Sequence, residues 1–157
     1  RCVPGGPPLL ACEWAGALLG YACVHAFAER AANRWRAELS VYTRLECAGR
    51  HIGGALYRTL MDLLKLQNVH TVYGIVTEPN PASRRVHERL GFAQAAHLHR
   101  VGFKHGRWLD VVWFEKRLQD SVDEPSALVP ASDVPAGKVA ATLSAAAKLL
   151  RNNTRRR

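Results

Sequence analysis

The sequence predicts a mixed β-sheet with helices packed against it, a fold of the α/β (α+β) class. Three observations carry this prediction: alternating apolar runs at the start of the chain, one long amphipathic segment near its middle, and a hairpin pattern after it. The predicted order is β-β-β-α-β-α-β-β. With 157 residues, 48% of them hydrophobic, the chain is long enough for one domain with its own core.

Three strands are predicted in the first third of the chain. The apolar runs Leu9–Trp14 and Leu18–His25 flank a short turn, which indicates an antiparallel pair. In the third run, Trp35–Thr43, apolar and polar residues alternate, so Ala37 and Leu39 fall on one face of the strand.

The other elements show equally clear signals. Apolar residues at helical spacing indicate an amphipathic helix, an apolar run on both faces indicates a central strand, and Asn-Pro followed by Gly marks the two ends of a second helix. The predicted elements are a helix over Ile52–Gln67, a strand over Val69–Thr77, a helix that begins at Asn80-Pro81 and ends at Gly91, and a hairpin of Phe92–Phe103 with Trp108–Lys116.

Charge and cysteine content restrict the class of protein. The net charge of +9 and a pI near 10.0 favour an anionic partner, whether a nucleotide, a phosphorylated cofactor, nucleic acid or a membrane surface. No apolar run reaches the roughly 20 residues of a membrane span. The four cysteines show no metal-ligand spacing, so we expect reduced thiols and no metal. The sequence begins with Arg1 and shows no secretory signal pattern, so we expect a fragment or a processed product of a cytoplasmic protein.

The composition divides the chain into three zones. Residues 1–8 are rich in Pro and Gly and predict an irregular lead-in, and residues 9–118 contain the predicted elements. Residues 119–157 are rich in Ala, Ser, Pro and Val, and we expect a disordered tail. A weak helix over 139–150 is the alternative for this tail, and a nucleic-acid-binding arm is a less favoured one.

A glycine-containing loop, Gly49–Gly54, precedes the long helix. Helix N-termini offer backbone N–H groups and partial positive charge to phosphate, and Arg50 adds a guanidinium. The motif alone fits a ligand-free connector equally well. Glu38 and His87, each taken alone, are typical of a solvated charge on a strand and of a partly buried histidine.

Three segments together resemble one family. Trp35–Tyr42 is similar to the W-x-x-E-x-[ST]-V-Y strand of the phosphinothricin N-acetyltransferase family, part of the GNAT acetyltransferase superfamily. Pro79–Phe92 is similar to its P-N-x-x-S-x-x-x-H-E-x-L-G-[FY] segment, and Gly102–Asp110 to its G-[FY]-K-H-G-x-W-x-D hairpin. The resemblance covers residues 9–118 and implies a mostly antiparallel GNAT sheet. The family's first strand and first two helices have no counterpart before Leu9, which we interpret as a missing N-terminal segment.

The resemblance implies acetyl transfer from acetyl-CoA, without a metal, to the α-amino group of a small amino-acid-like substrate. Glu38 matches the family's general base, which removes a proton from the substrate ammonium. His87 matches the histidine that acts with this base, by orienting it, relaying the proton or protonating the thiolate of CoA. A backbone N–H near Val41 would hold the oxyanion.

The same resemblance implies the remaining site residues. Ala48 and His51 depart from the superfamily loop [QR]-x-x-G-x-[GA], and a histidine in place of glycine predicts a strained or closely packed backbone there. Asn33 also departs from the family, which has an aromatic residue at that position. The expected pantetheine edge is Val41, Tyr42 and Thr43, the pyrophosphate loop is Gly49, Arg50, His51, Ile52, Gly53 and Gly54, a further CoA contact is Asn80, and the substrate side has Arg30 and Asn33.

Two alternatives stay open. The missing N-terminal segment, Ala48 and His51 fit an inactive or CoA-binding remnant of the fold. A nucleic-acid-binding module fits the charge but lacks stacking aromatics on a basic strand face. The expected partners are a small-molecule amine and, as is common in the family, a second copy of the chain; neither nucleic acid nor a membrane is expected. The sequence leaves the amine unidentified.

Overall fold

The computed structural model describes residues 9–26, 31–120 and 123–154. The expected lead-in, residues 1–8, lies outside the described residues. Within them the predicted order of elements is confirmed, with ends that differ by one or two residues. The elements are β1 Leu9–Trp14, β2 Ala17–Ala26, β3 Arg36–Thr43, α1 Ile52–Leu66, β4 Thr71–Thr77, α2 Pro81–Arg89, β5 Ala93–Lys104, β6 Arg107–Arg117 and α3 Ala136–Thr154.

The six strands form one sheet in the order β1-β2-β3-β4-β6-β5. All neighbours are antiparallel except β3 and β4, which are parallel. The parallel ladder is short: it pairs residues 36–38 of β3 with residues 71–73 of β4. β3 then continues to Thr43, paired with β2. The sheet is therefore mostly antiparallel, as the resemblance implies, and opens between β3 and β4.

The hydrophobic core lies between one face of this sheet and α1. Leu39, Val72 and Phe114 point from three strands into this core, and Leu60 and Leu64 of α1 pack with them. The apolar stripe predicted on the long helix is the face that α1 buries, because i, i+4 side chains share one side of a helix.

The structure differs from the expected disordered tail. Residues 136–154 form α3, which packs against α1, and Val139 and Leu150 lie against the core. The segment before α3 is held as well, since the Trp35 indole N–H donates to the Ser126 carbonyl at 2.8 Å and the Val129 N–H to the Gln67 carbonyl at 3.0 Å. Val139, Thr142, Ala146 and Leu150 form a half-buried stripe of α3, so contact with the rest of the chain stabilises a segment whose own pattern is weak.

None of the helices in the described ranges combines the length and the hydrophobicity that a membrane crossing needs.

Candidate active site

The opening between β3 and β4 begins beside Glu38. Glu38 is paired with Tyr73 at the last position of the parallel ladder. Beyond it, Val41, Tyr42 and Thr43 are paired with β2, and within the described ranges no ladder partner from β4 faces their other edge. Backbone N–H and C=O groups on that edge are therefore free to pair with an extended ligand inserted between the strands.

A row of polar side chains crosses the sheet at the level of Glu38. The register pairs His25 with Glu38, Glu38 with Tyr73, and Tyr73 with Glu115. Directly paired residues point to the same face of a sheet. The Tyr73 hydroxyl donates to the Glu115 carboxylate. This face, which we call the open face, therefore presents a carboxylate at the start of the opening.

Strand alternation separates Glu38 from the core. Its neighbours Ala37 and Leu39 are buried under α1, whereas Glu38 is half-buried. Because successive side chains of a strand point to opposite faces, Glu38 belongs to the open face and not to the helix-covered face.

His87 of α2 is buried beneath the helix-covered face, with 2% of its surface exposed. Its ring stacks on Phe114, with centroids 4.9 Å apart, and meets Phe92 edge-on at 5.1 Å. Its Nδ1 lies 2.8 Å from the Ser83 carbonyl oxygen. Since a carbonyl only accepts, Nδ1 carries a proton and donates it, which leaves Nε2 as the acceptor of the neutral ring.

Gly74 makes room for this imidazole. A Cβ built on Gly74 would lie 2.0 Å from His87 Nε2. A glycine in the interior of an apolar strand marks a close approach of another group. Gly74 was therefore the sequence signal that His87 is buried against β4, and sequence reasoning missed it.

Tyr57, also missed from the sequence, connects His87 to β3. Its hydroxyl donates to the Leu39 carbonyl at 2.9 Å and lies 3.2 Å from His87 Nε2. With a neutral imidazole, one hydroxyl proton faces two acceptors. With an imidazolium, Nε2–H donates to Tyr57 and Tyr57 donates to Leu39, so every acceptor is satisfied. The pair can thus hold or release one proton without a change in geometry.

Burial sets the resting protonation of this pair. Desolvation lowers the pKa of His87, partly offset by its hydrogen bond to Ser83. Desolvation, with the negative charge of Glu38 as a smaller cause, raises the pKa of Tyr57. Near neutral pH the imidazole is therefore neutral and the phenol is protonated. The charge of Glu38 is therefore close enough to Tyr57 to affect the pKa of its hydroxyl.

The two predicted catalytic residues do not touch. Glu38 and His87 lie on opposite faces of the sheet, and in the described part of the chain no hydrogen bond joins them. Their connection runs from Glu38 along the backbone to Leu39, and from its carbonyl through Tyr57 to His87. Direct orientation of the base by His87, one of the three predicted roles, does not fit this geometry.

The loop before α1 has the left-handed backbone that phosphate cradles use. Gly49 has φ 76° and His51 has φ 60° and ψ 10°, and α1 begins at Ile52. A histidine in this conformation is strained by about 1–2 kcal/mol. A Cβ built on Gly54 would meet nothing within 4 Å, and one on Gly53 would meet Thr43 at 3.6 Å. The space beside Gly54 is therefore open, whereas a Cβ on Gly53 would lie in ordinary contact with β3.

A cleft of about 560 Å³ adjoins this loop, between α1, α2 and α3. His51, Arg58 and Arg89 line it on the side of α1 and α2, and Ala145 and other small residues of α3 form the opposite wall. The cleft is large enough for a nucleotide-sized group, and guanidinium groups suit its phosphates.

The remaining predicted residues fall at the ends of elements. Asn80 caps α2, as predicted, since its side-chain oxygen accepts from the Ser83 N–H at 3.0 Å; its side chain is exposed. Asn33 is half-buried in a short 3₁₀ turn before β3. Arg30 lies outside the described residues.

The comparisons with known proteins agree with this arrangement. Residues 5–113 match the family described as the acetyltransferase (GNAT) domain. The chain belongs to the GNAT acetyltransferase family. It is 45% identical over 101 residues to an N-acetyltransferase of Streptomyces griseus, covering 64% of this chain and 52% of that one. It is 33% identical to the L-methionine sulfoximine/L-methionine sulfone acetyltransferase of Pseudomonas aeruginosa, covering 80% of this chain and 73% of that one.

Among solved structures, this GNAT chain is similar to a phosphinothricin acetyltransferase of Sinorhizobium meliloti in complex with acetyl-CoA. The identity is 29%, the TM-score is 0.73, and the match covers 83% of this chain and 72% of the other. Curated relatives named phosphinothricin N-acetyltransferase are also matched, so the resemblance drawn from the three motifs is confirmed. The chain spans 52% and 59% of the length of the first two curated relatives.

Proposed function

We propose that this chain is an N-acetyltransferase that moves the acetyl group of acetyl-CoA to the α-amino group of a small amino-acid-like substrate. One observation carries the proposal: the sheet opens at Glu38, and the edge of β3 that follows, Val41–Thr43, faces this opening without a strand partner from β4 among the described residues. The proposed catalytic core is residues 9–118.

Glu38 acts as the general base in this proposal. Its carboxylate, on the open face, removes a proton from the substrate ammonium, directly or through a water molecule. The neutral amine then attacks the thioester carbonyl. A backbone N–H near Val41 stabilises the oxyanion that forms, because it is fixed in the strand and needs no reorganisation.

Tyr57 and His87 act on the leaving group. When the tetrahedral intermediate breaks down, the C–S bond cleaves and the thiolate takes a proton from the protonated form of the pair: the Tyr57 hydroxyl gives up its proton as it receives the Nε2 proton of the His87 imidazolium. Burial lowers the pKa of His87, which makes this imidazolium a ready proton donor, and solvent restores its proton between turnovers. This division gives the base and the acid to opposite faces of the sheet.

In this proposal, the anionic parts of CoA occupy the loop before α1 and the adjoining cleft. The N-terminus of α1, with Gly49–Gly54 and Arg50, accepts the pyrophosphate, and Asn80 lies near the thioester end. Arg58 and Arg89 of the adjoining cleft attract the phosphate of the adenosine end. The strongly positive net charge raises the rate of encounter with this polyanion.

The names of the relatives support the proposed substrate class. Matched proteins are named for phosphinothricin, for methionine sulfoximine and sulfone, and for L-amino acids. Arg30 and Asn33 stand before β3, and we assign both to the substrate side, where a guanidinium pairs with a substrate carboxylate. A homodimer is the assembly we expect.

An acetyl-CoA consumption assay tests the proposal. A panel of L-amino acids, phosphinothricin, methionine sulfoximine and methionine sulfone is offered to the 157-residue chain and to a longer chain extended at its N-terminus. Release of CoA thiol that depends on one class of amine is the expected result. Tight binding of acetyl-CoA by calorimetry without turnover of any amine in either chain would overturn it.

That last outcome supports a second candidate, a CoA-binding remnant of the fold. The observation in its favour is the pyrophosphate loop, where His51 holds a left-handed backbone and exposed Ala48 supplies no polar side chain.

A further inference from the structure

The hairpin of β5 and β6 brings together three metal-ligating side chains that play no part in the proposed acetyl transfer. His97 and His99 are two residues apart on β5 and therefore share one face of the strand. Asp110 of β6 lies across from them. The ladder between the strands is irregular here, with a register shift between Leu98 and Gly102.

The donor atoms of these side chains converge on one point. His97 Nε2 lies 2.8 Å and His99 Nδ1 3.0 Å from the same oxygen, Oδ2 of Asp110. All three atoms lie within 4.8 Å of one another. Two ligands bound at about 2.1 Å from one tetrahedral ion are about 3.4 Å from each other, so side-chain rotations that separate these atoms by about 0.5 Å suffice for binding.

A backbone hydrogen bond fixes the orientation of the Asp110 carboxylate. The N–H of Arg100, which has φ 54°, donates to Oδ1 of Asp110 at 2.9 Å and leaves Oδ2 directed at the imidazoles. The carbonyl of Asp110 in turn accepts from the Glu78 N–H at 2.9 Å. Outer hydrogen bonds of this kind orient the ligands of metal sites.

We propose that His97, His99 and Asp110 bind one divalent transition-metal ion, with Zn²⁺ as the ion that suits them best. Two imidazoles and one carboxylate form a common zinc ligand set, whereas Mg²⁺ and Ca²⁺ prefer oxygen ligands alone. Solvent reaches the site, because the side chain of His99 is 72% exposed. The ion links β5 to β6 where the ladder is interrupted and leaves a fourth position for water or an outside ligand.

Calorimetric titration of the chelator-treated, 157-residue chain with ZnCl₂ tests the proposal. One ion per chain is expected, with affinity reduced at least tenfold in His97→Gln, His99→Gln and Asp110→Asn, since each removes one ligand. His105→Asn is the matched control: it changes an exposed histidine in the turn of the same hairpin and should leave the affinity unchanged. Bound Zn²⁺ should also raise the Tm of the parent chain and not that of the variants.

CoCl₂ distinguishes this site from the cysteines. The described thiols are Cys12, Cys23 and Cys47, none of them in the hairpin. Binding of Co²⁺ with ligand-field bands and without a thiolate charge-transfer band supports the histidine–aspartate site. A thiolate band, or zinc affinity that the His99→Gln variant leaves unchanged, overturns it. His99→Gln keeps the test valid if Asp110→Asn disturbs the hairpin, because the His99 side chain is largely solvent-exposed.

Discussion

The two faces of the sheet place their titratable groups in opposite environments, one buried and one open to solvent. On the helix-covered face, His87 is enclosed by Phe114, Phe92 and Tyr57 and is fixed by packing. On the open face, Glu38 is half-buried in a row of polar side chains and is fixed by strand register alone. Packing lowers the pKa of the first group, while the second retains contact with water. In the proposed mechanism, a buried acid pair and an accessible base can thus share one opening between two strands.

The substitution with the largest expected effect is Glu38→Gln on the open face. It removes the proposed base but keeps the size of the side chain, so kcat should fall by about 10²–10⁴-fold while the Kd of acetyl-CoA stays within about twofold. Steady-state rates and calorimetry measure the two quantities. Glu13→Gln, on the exposed end of β1, is the control. Unchanged turnover would exclude Glu38 from the mechanism.

On the helix-covered face, Gly74→Ala should reduce the free energy of unfolding by about 1–3 kcal/mol, because its Cβ would overlap His87 Nε2. Urea denaturation measures the loss. Gly102→Ala is a matched strand glycine whose Cβ would meet its nearest neighbour at 3.8 Å, and it should cost far less. Combining Gly74→Ala with His87→Ala should recover part of the loss; strictly additive effects would mean that the imidazole is not what Gly74 accommodates.

Tyr57→Phe tests the proposed acid step independently of the base Glu38. Without its hydroxyl, kcat should fall by about tenfold with KM little changed, and the Leu39 carbonyl loses its donor at a cost of about 1 kcal/mol in stability. Single-turnover kinetics and denaturation distinguish the two effects. A loss of stability without a loss of kcat would assign Tyr57 a structural role.

Lowering the pH should reduce the free energy of unfolding, because of His87 on the helix-covered face. Because the pKa of His87 is lowered in the folded state, the unfolded chain binds more protons once the pH falls below about 6.5. The free energy of unfolding should therefore be highest above that pH and fall below it, by up to about 1.4 kcal/mol per pH unit. His87→Gln should flatten this dependence and the exposed-site control His105→Asn should not. An equal slope in the His87 variant would contradict the assignment.

His51→Gly has the smallest expected effect. Glycine relieves the left-handed strain but adds entropy to the unfolded chain, so stability should rise by less than about 1 kcal/mol. Acetyl-CoA should bind more tightly if strain limits the loop; weaker binding would show that His51 is itself a contact. Ala15→Gly, at φ 48° in the turn between β1 and β2, gives a similar relief away from the loop and should leave the affinity unchanged.

Sequence patterns predicted the elements of the fold, because each of them buries a periodic apolar face. The cap at Asn80 and the central position of β4 followed from local signals as well. The tail did not, since α3 is stabilised by contact with α1 along one half-buried stripe and not by its Ala-rich sequence alone. Pattern reasoning about single segments cannot include a contact that the rest of the chain supplies.

Glu38 and the glycine loop entered the candidate site through the resemblance of their segments, because each alone also fits a residue without a ligand, and their roles remain predictions. Contacts between two distant segments could not be predicted. Tyr57 resembles any residue on the buried stripe of α1 until the fold places it 3.2 Å from His87. In the same way, only the pairing of β5 with β6 brings together the proposed metal ligands His97, His99 and Asp110.

The shortness of the parallel ladder has a consequence for how the molecule holds together. With three residue pairs between β3 and β4, the sheet consists of two three-stranded ribbons, and α1 packs against β1, β2 and β3 while α2 packs against β4. A ligand inserted along the β3 edge would replace the absent ladder and join the ribbons. Amide hydrogen exchange at residues 39–43 should therefore slow more on ligand addition than exchange anywhere in β1 or β5. Binding of the ligand and association of the two ribbons are then a single linked equilibrium.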